Sequence, residues 1–246
     1  MAGSATDRAA LSALTSEIVA CRRCPRLVEW RERVAREKVA RFRDEVYWGR
    51  PVPGFGDPDA RILVLGLAPA AHGGNRTGRV FTGDASGDFL WPALHRAGLA
   101  DRAVSRRADD GLTLTDVYIA AAVRCAPPAN KPTILERDTC APFLVREMAL
   151  LTSVRVVLAL GAFGWDAGLR ALAALGHRSA GGAKPRFGHG AEARLEPYVL
   201  LGSYHPSQQN TFTGRLTASM FQAVVDRAVA LVGASEATAG ATARVS

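Results

Sequence analysis

Four continuous apolar runs punctuate the chain: ARILVLGLAP from Ala60, TDVYIAAAVRC from Thr115, SVRVVLALG from Ser153 and PYVLLGSYHP from Pro197. Each leads into a stretch with helical spacing: SGDFLWPALHRAGLA, TILERDTCAPFLVREMALL, AFGWDAGLRALAALG and GRLTASMFQAVVDRAVALVG. Strands without polar alternation are buried on both faces, and strands that alternate with helices form a parallel sheet covered on both sides. The pattern predicts an α/β chain, a three-layer α/β/α sandwich with a four-stranded parallel central sheet, as one domain over residues 1–232. The segment RLVEWRERVAREKVARFRDEVYW, Arg26 to Trp48, reads as a further helix. The tail at 233–246, rich in Ala, Ser, Thr and Gly, has little to bury and is expected to be disordered.

In open α/β folds the ligand crevice lies beyond the carboxyl ends of the strands. Those ends read GLAPAAHGG, AAVRCAPPANKP, ALGAFGW and GSYHPSQQN, so the unusual segments converge on one rim. The longest runs from Gly66 to Leu90 and is glycine-rich, which lets backbone N–H groups approach a ligand closely. It carries neither a Walker loop nor G-x-G-x-x-G, which disfavours nucleoside triphosphates and dinucleotides. Asn75, Arg76, Arg79 and Asp84 supply polar groups there, and Phe81 a stacking surface. His205 follows the last strand; a lone histidine in such a place is more often structural, but Pro206 fixes the turn and Gln208, Gln209 and Asn210 extend a polar loop beyond it.

Cys21, Cys24, Cys125 and Cys140 are all the cysteines the chain has, written C-x-x-C and then C-x14-C. Four thiolates suit either a structural zinc or a [4Fe-4S] cluster. Zinc ribbons usually present two matched knuckles, so the wide second spacing favours iron and sulfur. Net charge is +8, and between Arg22 and Arg50 ten basic residues face five acidic ones, interleaved with aromatics. That segment is expected to face phosphates, although i,i+4 Glu–Arg pairs on a solvated face explain the same pattern. No apolar run approaches the ~20 residues of a membrane span, and the N-terminus lacks a signal-peptide pattern, so a cytoplasmic location without a membrane partner is expected.

GLAPAAHGGNRTGRVFTGDASG, RCAPPANKP, the HPSQQN turn and the four cysteines together resemble the iron–sulfur uracil-DNA glycosylases of family 5, also called type b, from about Cys21 to Leu231. The resemblance implies a [4Fe-4S] cluster on Cys21, Cys24, Cys125 and Cys140 that ties the N-terminal basic segment to mid-chain. It also implies a monomeric, bacterial-type, nucleoid-associated DNA repair enzyme that flips a damaged base out of the duplex and hydrolyses its N-glycosidic bond. On that reading Gly66, Leu67, Ala68, Pro69, Phe81 and Ala121 form the base pocket, with Phe81 stacking. His205 contacts the uracil O2 and stabilises the leaving base. Asn75, Arg76, Arg79, Ser207, Gln208, Gln209, Asn210, Phe212 and Arg215 face DNA, with Phe212 as the wedge that fills the vacated stack.

The chain departs from the wider superfamily in two places. Ala68 stands where family 1 enzymes have a water-activating Asp and family 4 enzymes a Glu, so either Asp84 takes that role or a dissociative path proceeds on electrostatics alone. Ala121 stands where family 4 enzymes have an Asn that reads the pyrimidine edge, which points to a base range extending to hypoxanthine and ethenocytosine. Two other classes remain: a non-catalytic iron–sulfur or zinc nucleic-acid-binding module, and a metal-dependent hydrolase, for which no H-E-x-x-H is present.

Overall fold

The computed structural model describes residues 4–179 and 182–242, with side chains to residue 234. Helices α1 (Ala5–Ala20) and α2 (Pro25–Glu37) precede the sheet. Ser4 starts α1 with a capping box, its Oγ accepting from the Asp7 N–H while its own N–H donates to Asp7 Oδ2. Lys38, at φ 56°, ends α2. The helix expected to run on to Trp48 therefore stops after Glu37, and only a short 3-10 turn at Ala40–Phe42 follows.

The sheet has six strands: β1 (Phe55–Gly56), β2 (Ile62–Gly66), β3 (Val117–Ala121), β4 (Val156–Leu160), β5 (Glu192–Leu195) and β6 (Tyr198–Ser203), in the order β1-β3-β2-β4-β6-β5. The four expected strands form a contiguous parallel centre, β3-β2-β4-β6. The four-strand count is corrected by β1 and β5, which pair antiparallel at the two edges and are too short to stand out as apolar runs.

Successive side chains of a strand point to opposite faces, and the core divides accordingly. Ile62, Val64, Val117, Ile119, Val156, Leu158, Val199 and Leu201 pack on one side, with α4 (Ala85–Arg96) and α8 (Ala218–Thr242). Leu63, Leu65, Tyr118, Ala120, Val157, Ala159 and Leu200 pack on the other, with α5 (Ile134–Leu150) and α6 (Gly161–Ala174). That division is the three-layer sandwich. Two short helices, α3 (Gly74–Thr77) and α7 (Gln208–Phe212), lie in the rim segments.

The tail is also corrected, because α8 continues as helix through Thr242, in keeping with the high helix propensity of its alanines; residues 243–246 lie outside the described residues. Among the described residues no helix is long and apolar enough to cross a membrane.

Candidate active site and cysteine centre

The carboxyl ends of β2, β3, β4 and β6 open into one cavity of about 610 Å³. Gly66, Leu67 and Ala68 leave β2 along its wall, Ala121 closes β3, and Gly161 begins α6 directly after β4. His205 and Ser207 follow β6. The glycine-rich segment contributes Phe81 and Asp84.

Phe81 is buried and holds a left-handed backbone at φ 53°, a conformation strained for a bulky residue. Its carbonyl accepts from Trp91 Nε1 at 2.6 Å, which fixes the turn from the α4 side. The Phe81 and His205 rings lie 6.2 Å apart, inclined at 35°. Burial lowers the His205 pKa from 6.5 to about 4, so near neutral pH the imidazole is uncharged and offers one N–H donor. The His205 carbonyl accepts from Asn210 Nδ2 at 2.9 Å, which joins the histidine to α7.

Asp84 caps α4, accepting from the Gly87 N–H at 2.9 Å. A Cβ on Gly73 would fall 2.0 Å from Asp84 Oδ2, so glycine there makes room for the carboxylate. Burial pushes the Asp84 pKa up to about 6, against the hydrogen bond from the Gly87 backbone. A carboxylate beside the cavity that ionises near neutrality can hold a water and accept its proton.

Three residues expected to face DNA do not. Asn75, Arg76 and Arg79 are all buried. Asn75 Nδ2 donates to the Arg31 carbonyl, and Arg76 pairs with Glu45 while donating to the Gly83 carbonyl. Arg79 donates to Asp110, Ser105, Thr82 and the Arg107 and Ala108 carbonyls. These side chains fasten the glycine-rich segment to residues 105–110 and to the stretch before β1. Pro69 is buried against Gly74 and is not on the cavity wall. Ser207, Gln208, Gln209, Asn210 and Arg215 do line the mouth, with the Arg215 guanidinium 4.7 Å above the Tyr204 ring. Phe212 is 80% exposed on α7.

The basic segment from Arg22 to Arg50 is partly neutralised: Arg22 pairs with Glu32 and Arg33 with Glu29 inside it, and Arg23 pairs with Glu17 and Arg26 with Glu136 outside it. Arg36 and Arg50 remain exposed beside a second, shallow cleft between α1, α2 and Tyr47–Arg50.

The rest of the wall comes from residues that sequence reasoning did not single out. Phe163 follows β4 in ALGAFGW, and Asn130 and Lys131 follow β3 in RCAPPANKP; both strings were legible as rim segments. Tyr204 follows β6 in GSYHPSQQN, likewise a rim segment, whereas Phe187 comes from an irregular stretch with no such signal.

Cys21 ends α1, Cys24 caps α2, Cys125 follows β3 and Cys140 lies in α5, and all four line one small cavity. None is in a disulfide. Cys125 Sγ accepts from Arg31 Nη1 at 2.9 Å, and Cys140 Sγ from the Arg124 N–H at 3.3 Å. Burial pushes the Cys125 and Cys140 thiols up to about 12 and about 11. Among the described residues no group of three or more His, Cys, Asp or Glu is gathered as it would be around a single metal ion. Phe163 and Ala68, both on the larger cavity, also pack with Leu27, Val123, Cys24 and Cys125, which puts the two sites in contact through shared side chains.

The sequence model described as the uracil DNA glycosylase superfamily matches residues 53–228. The chain is 54% identical over 235 residues to the type-5 uracil-DNA glycosylase of Mycobacterium tuberculosis, covering 95% of this chain and 85% of the relative. It is 55% identical over 222 residues to that of Thermus thermophilus, covering 90% and 98%. Against that of Pyrobaculum aerophilum it is 43% identical over 228 residues, covering 93% and 96%.

Proposed function

This chain belongs to the uracil-DNA glycosylase superfamily, and we infer that it is a DNA repair enzyme that removes uracil by hydrolysing the N-glycosidic bond. The observation that carries the reading is the cavity at the carboxyl ends of the parallel strands, where Phe81, Asp84 and His205 meet. A base inside a duplex is beyond reach of such a cavity, so the nucleotide must be flipped into it. Phe81 then stacks on the base. The neutral His205 imidazole donates to the carbonyl oxygen on which negative charge develops as the bond breaks. Asp84, when ionised, holds the water that attacks the sugar and takes up its proton. Phe212, exposed on α7, fills the gap left in the stack, and Arg215 with the Ser207–Asn210 turn meets the phosphates.

The small Ala68 and Ala121 leave the pocket without a side-chain amide to read the pyrimidine edge. Strong rejection of a wrong base comes from site groups it leaves unpaired. The pocket therefore also admits hypoxanthine and ethenocytosine. The enzyme acts as a monomer in the cytoplasm, where its DNA substrate is.

Cys21, Cys24, Cys125 and Cys140 hold a [4Fe-4S] cluster. The residues fit it in two respects: four thiols surround one cavity, and N–H donors from Arg31 and Arg124 already point at two of the sulfurs. Bound there, the cluster supplies no group to the hydrolysis and ties α1 and α2 to β3 and α5.

The test is incubation with a uracil-containing oligonucleotide in excess EDTA, followed by alkali. Strand breakage at the uracil is expected; intact strands would sink the assignment, and breakage abolished by EDTA would point to a metal-dependent hydrolase.

A further inference from the structure

Two arginines are buried beside cysteine sulfurs, and only one has a carboxylate of its own. Arg124 and Glu147 are each 1% exposed and pair at 2.5 Å, so that cation is matched inside the fold. Arg31, 2% exposed in α2, has no such partner. Its closest carboxylate contact is Glu32 Oε1, 3.8 Å from Nη2, and Glu32 is itself held by two hydrogen bonds from Arg22. The Arg31 Nε has no hydrogen-bond partner. The other two nitrogens point at the cysteine centre: Nη1 donates to Cys125 Sγ at 2.9 Å and Nη2 to the Cys21 carbonyl at 3.2 Å.

A guanidinium keeps its charge at any pH the fold survives, and a buried charge persists only when it is paired. The two groups that Arg31 hydrogen-bonds are a sulfur and a carbonyl, and of these only the sulfur can carry a negative charge to add to the distant Glu32 carboxylate. Four thiolates around a [4Fe-4S] core carry net negative charge, which would match the cation.

We propose that Arg31 is the buried counter-cation of the cysteine-bound cluster, grasping Cys125 through its sulfur and Cys21 through its carbonyl, so that iron retention and cluster potential both depend on it. The inference rests on the cluster reading above and adds to it a residue outside the four ligands. Arg31 acts through Cys125 and Cys21, so it is a positioning residue. The fork spans ligands contributed by two distant parts of the chain, a geometry that lysine cannot reproduce. Hydrogen bonds to the sulfurs and nearby charge set cluster potentials. Loss of the cation should disfavour the more negative reduced state.

The experiment compares full-length wild type, Arg31→Gln and Arg31→Lys, purified without oxygen. It reads iron per chain, the rate at which visible absorption bleaches in excess ferrous chelator, the one-electron midpoint potential and far-UV circular dichroism. Arg31→Gln should bleach at least tenfold faster and shift the potential to more negative values. Arg31→Lys, which keeps the charge and loses the fork, should bleach severalfold faster with the potential nearly retained. Should Arg31→Gln fail to fold, the Lys variant decides, and a wild-type bleaching rate there overturns the proposal. Iron held equally firmly at an unchanged potential in all three proteins overturns the Arg31 inference alone. Wild-type protein without iron overturns the cluster reading and the inference with it.

Discussion

The ring of Phe81 rests against the bare Cα of Gly66: a Cβ placed there would lie 2.8 Å from Phe81 Cζ and 3.2 Å from Cε2. The atoms displaced are the far end of a side chain, so Gly66→Ala should leave the fold intact and tilt the ring off the position a flipped base would stack on. Misplacing a positioning group by about an ångström costs on the order of a hundredfold in rate. Single-turnover uracil release is expected to fall by roughly that much, with circular dichroism unchanged. A normal rate would show that Phe81 does not stack on the base.

Asp84 should make activity and stability pull in opposite directions. Its pKa is raised by burial from 3.8 to about 6, so folding takes up a proton and the associated stability is full below 3.8 and lost as pH rises through about 6. Asn keeps the helix cap and removes the charge. Asp84→Asn should therefore be more stable than wild type at pH 8, by up to about 3 kcal/mol, with the advantage gone near pH 3.5; urea melts at both pH values measure this. The wild-type rate should rise with pH through about 6 as the carboxylate ionises, and the variant should be slow without that limb. A variant with the wild-type rate would favour the dissociative path.

His205, with its pKa lowered by burial to about 4, is already neutral where Asp84 ionises and should add no limb of its own near pH 6. His205→Ala removes one donor from the leaving base, and the chemical step should slow by about 10²–10³-fold. Binding of uracil-containing DNA, read by fluorescence anisotropy, should be largely retained. Equal loss of binding and rate would mean that the residue holds the ground state instead.

Ala121 is 2% exposed at the end of β3, on the wall of the cavity. Ala121→Asn places an amide where the pocket has none, and should narrow the range toward uracil. The check is single-turnover cleavage of matched oligonucleotides bearing uracil, hypoxanthine or ethenocytosine. A wild-type enzyme that cuts only uracil would refute the open-pocket reading.

Arg79 and Arg215 should separate cleanly. Arg79 is buried and, with the Leu112 and Arg106 backbone N–H groups, holds the Asp110 pKa down to about 2 despite the burial that would raise it. Arg79→Ala breaks this pair and removes the buried donors to Thr82, Ser105 and the Arg107 and Ala108 carbonyls, and should cost about 3–5 kcal/mol of stability. Arg215→Ala should leave stability alone and lower the slope of log affinity for DNA against log salt by about one. An Arg79 variant of normal stability with a flattened slope would restore Arg79 to the DNA surface.

The four central strands, and the convergence of Gly66, Phe81, Asp84, Ala121 and His205 on one cavity, were legible because continuous apolar runs mark buried parallel strands and the ligand crevice of such a sheet lies at their carboxyl ends. Arg76 and Arg79 were misread because a sequence displays a charge and hides its partner. Glu45 and Asp110 are each 31 residues away, and only the folded loop brings them together. Phe187 reaches the cavity from an irregular segment, whose path no local pattern specifies. Arg31 lies two helical turns beyond Cys24 in the same helix, a spacing that could have drawn attention to it.

The two short edge strands have a consequence for the protein at high concentration. An open strand edge recruits further chains, and β3, reading VYIAA, is uncharged, apolar and free of proline. Phe55 and Gly56 cover it, paired with Ile119 and Tyr118, and the Asp57 N–H donates to the Val117 carbonyl. On the far side, β5 ends the sheet with Glu192 and Arg194 turned outward. Releasing that short segment would bare the β3 edge to another chain, so the segment before β2 guards solubility as much as it completes a sheet.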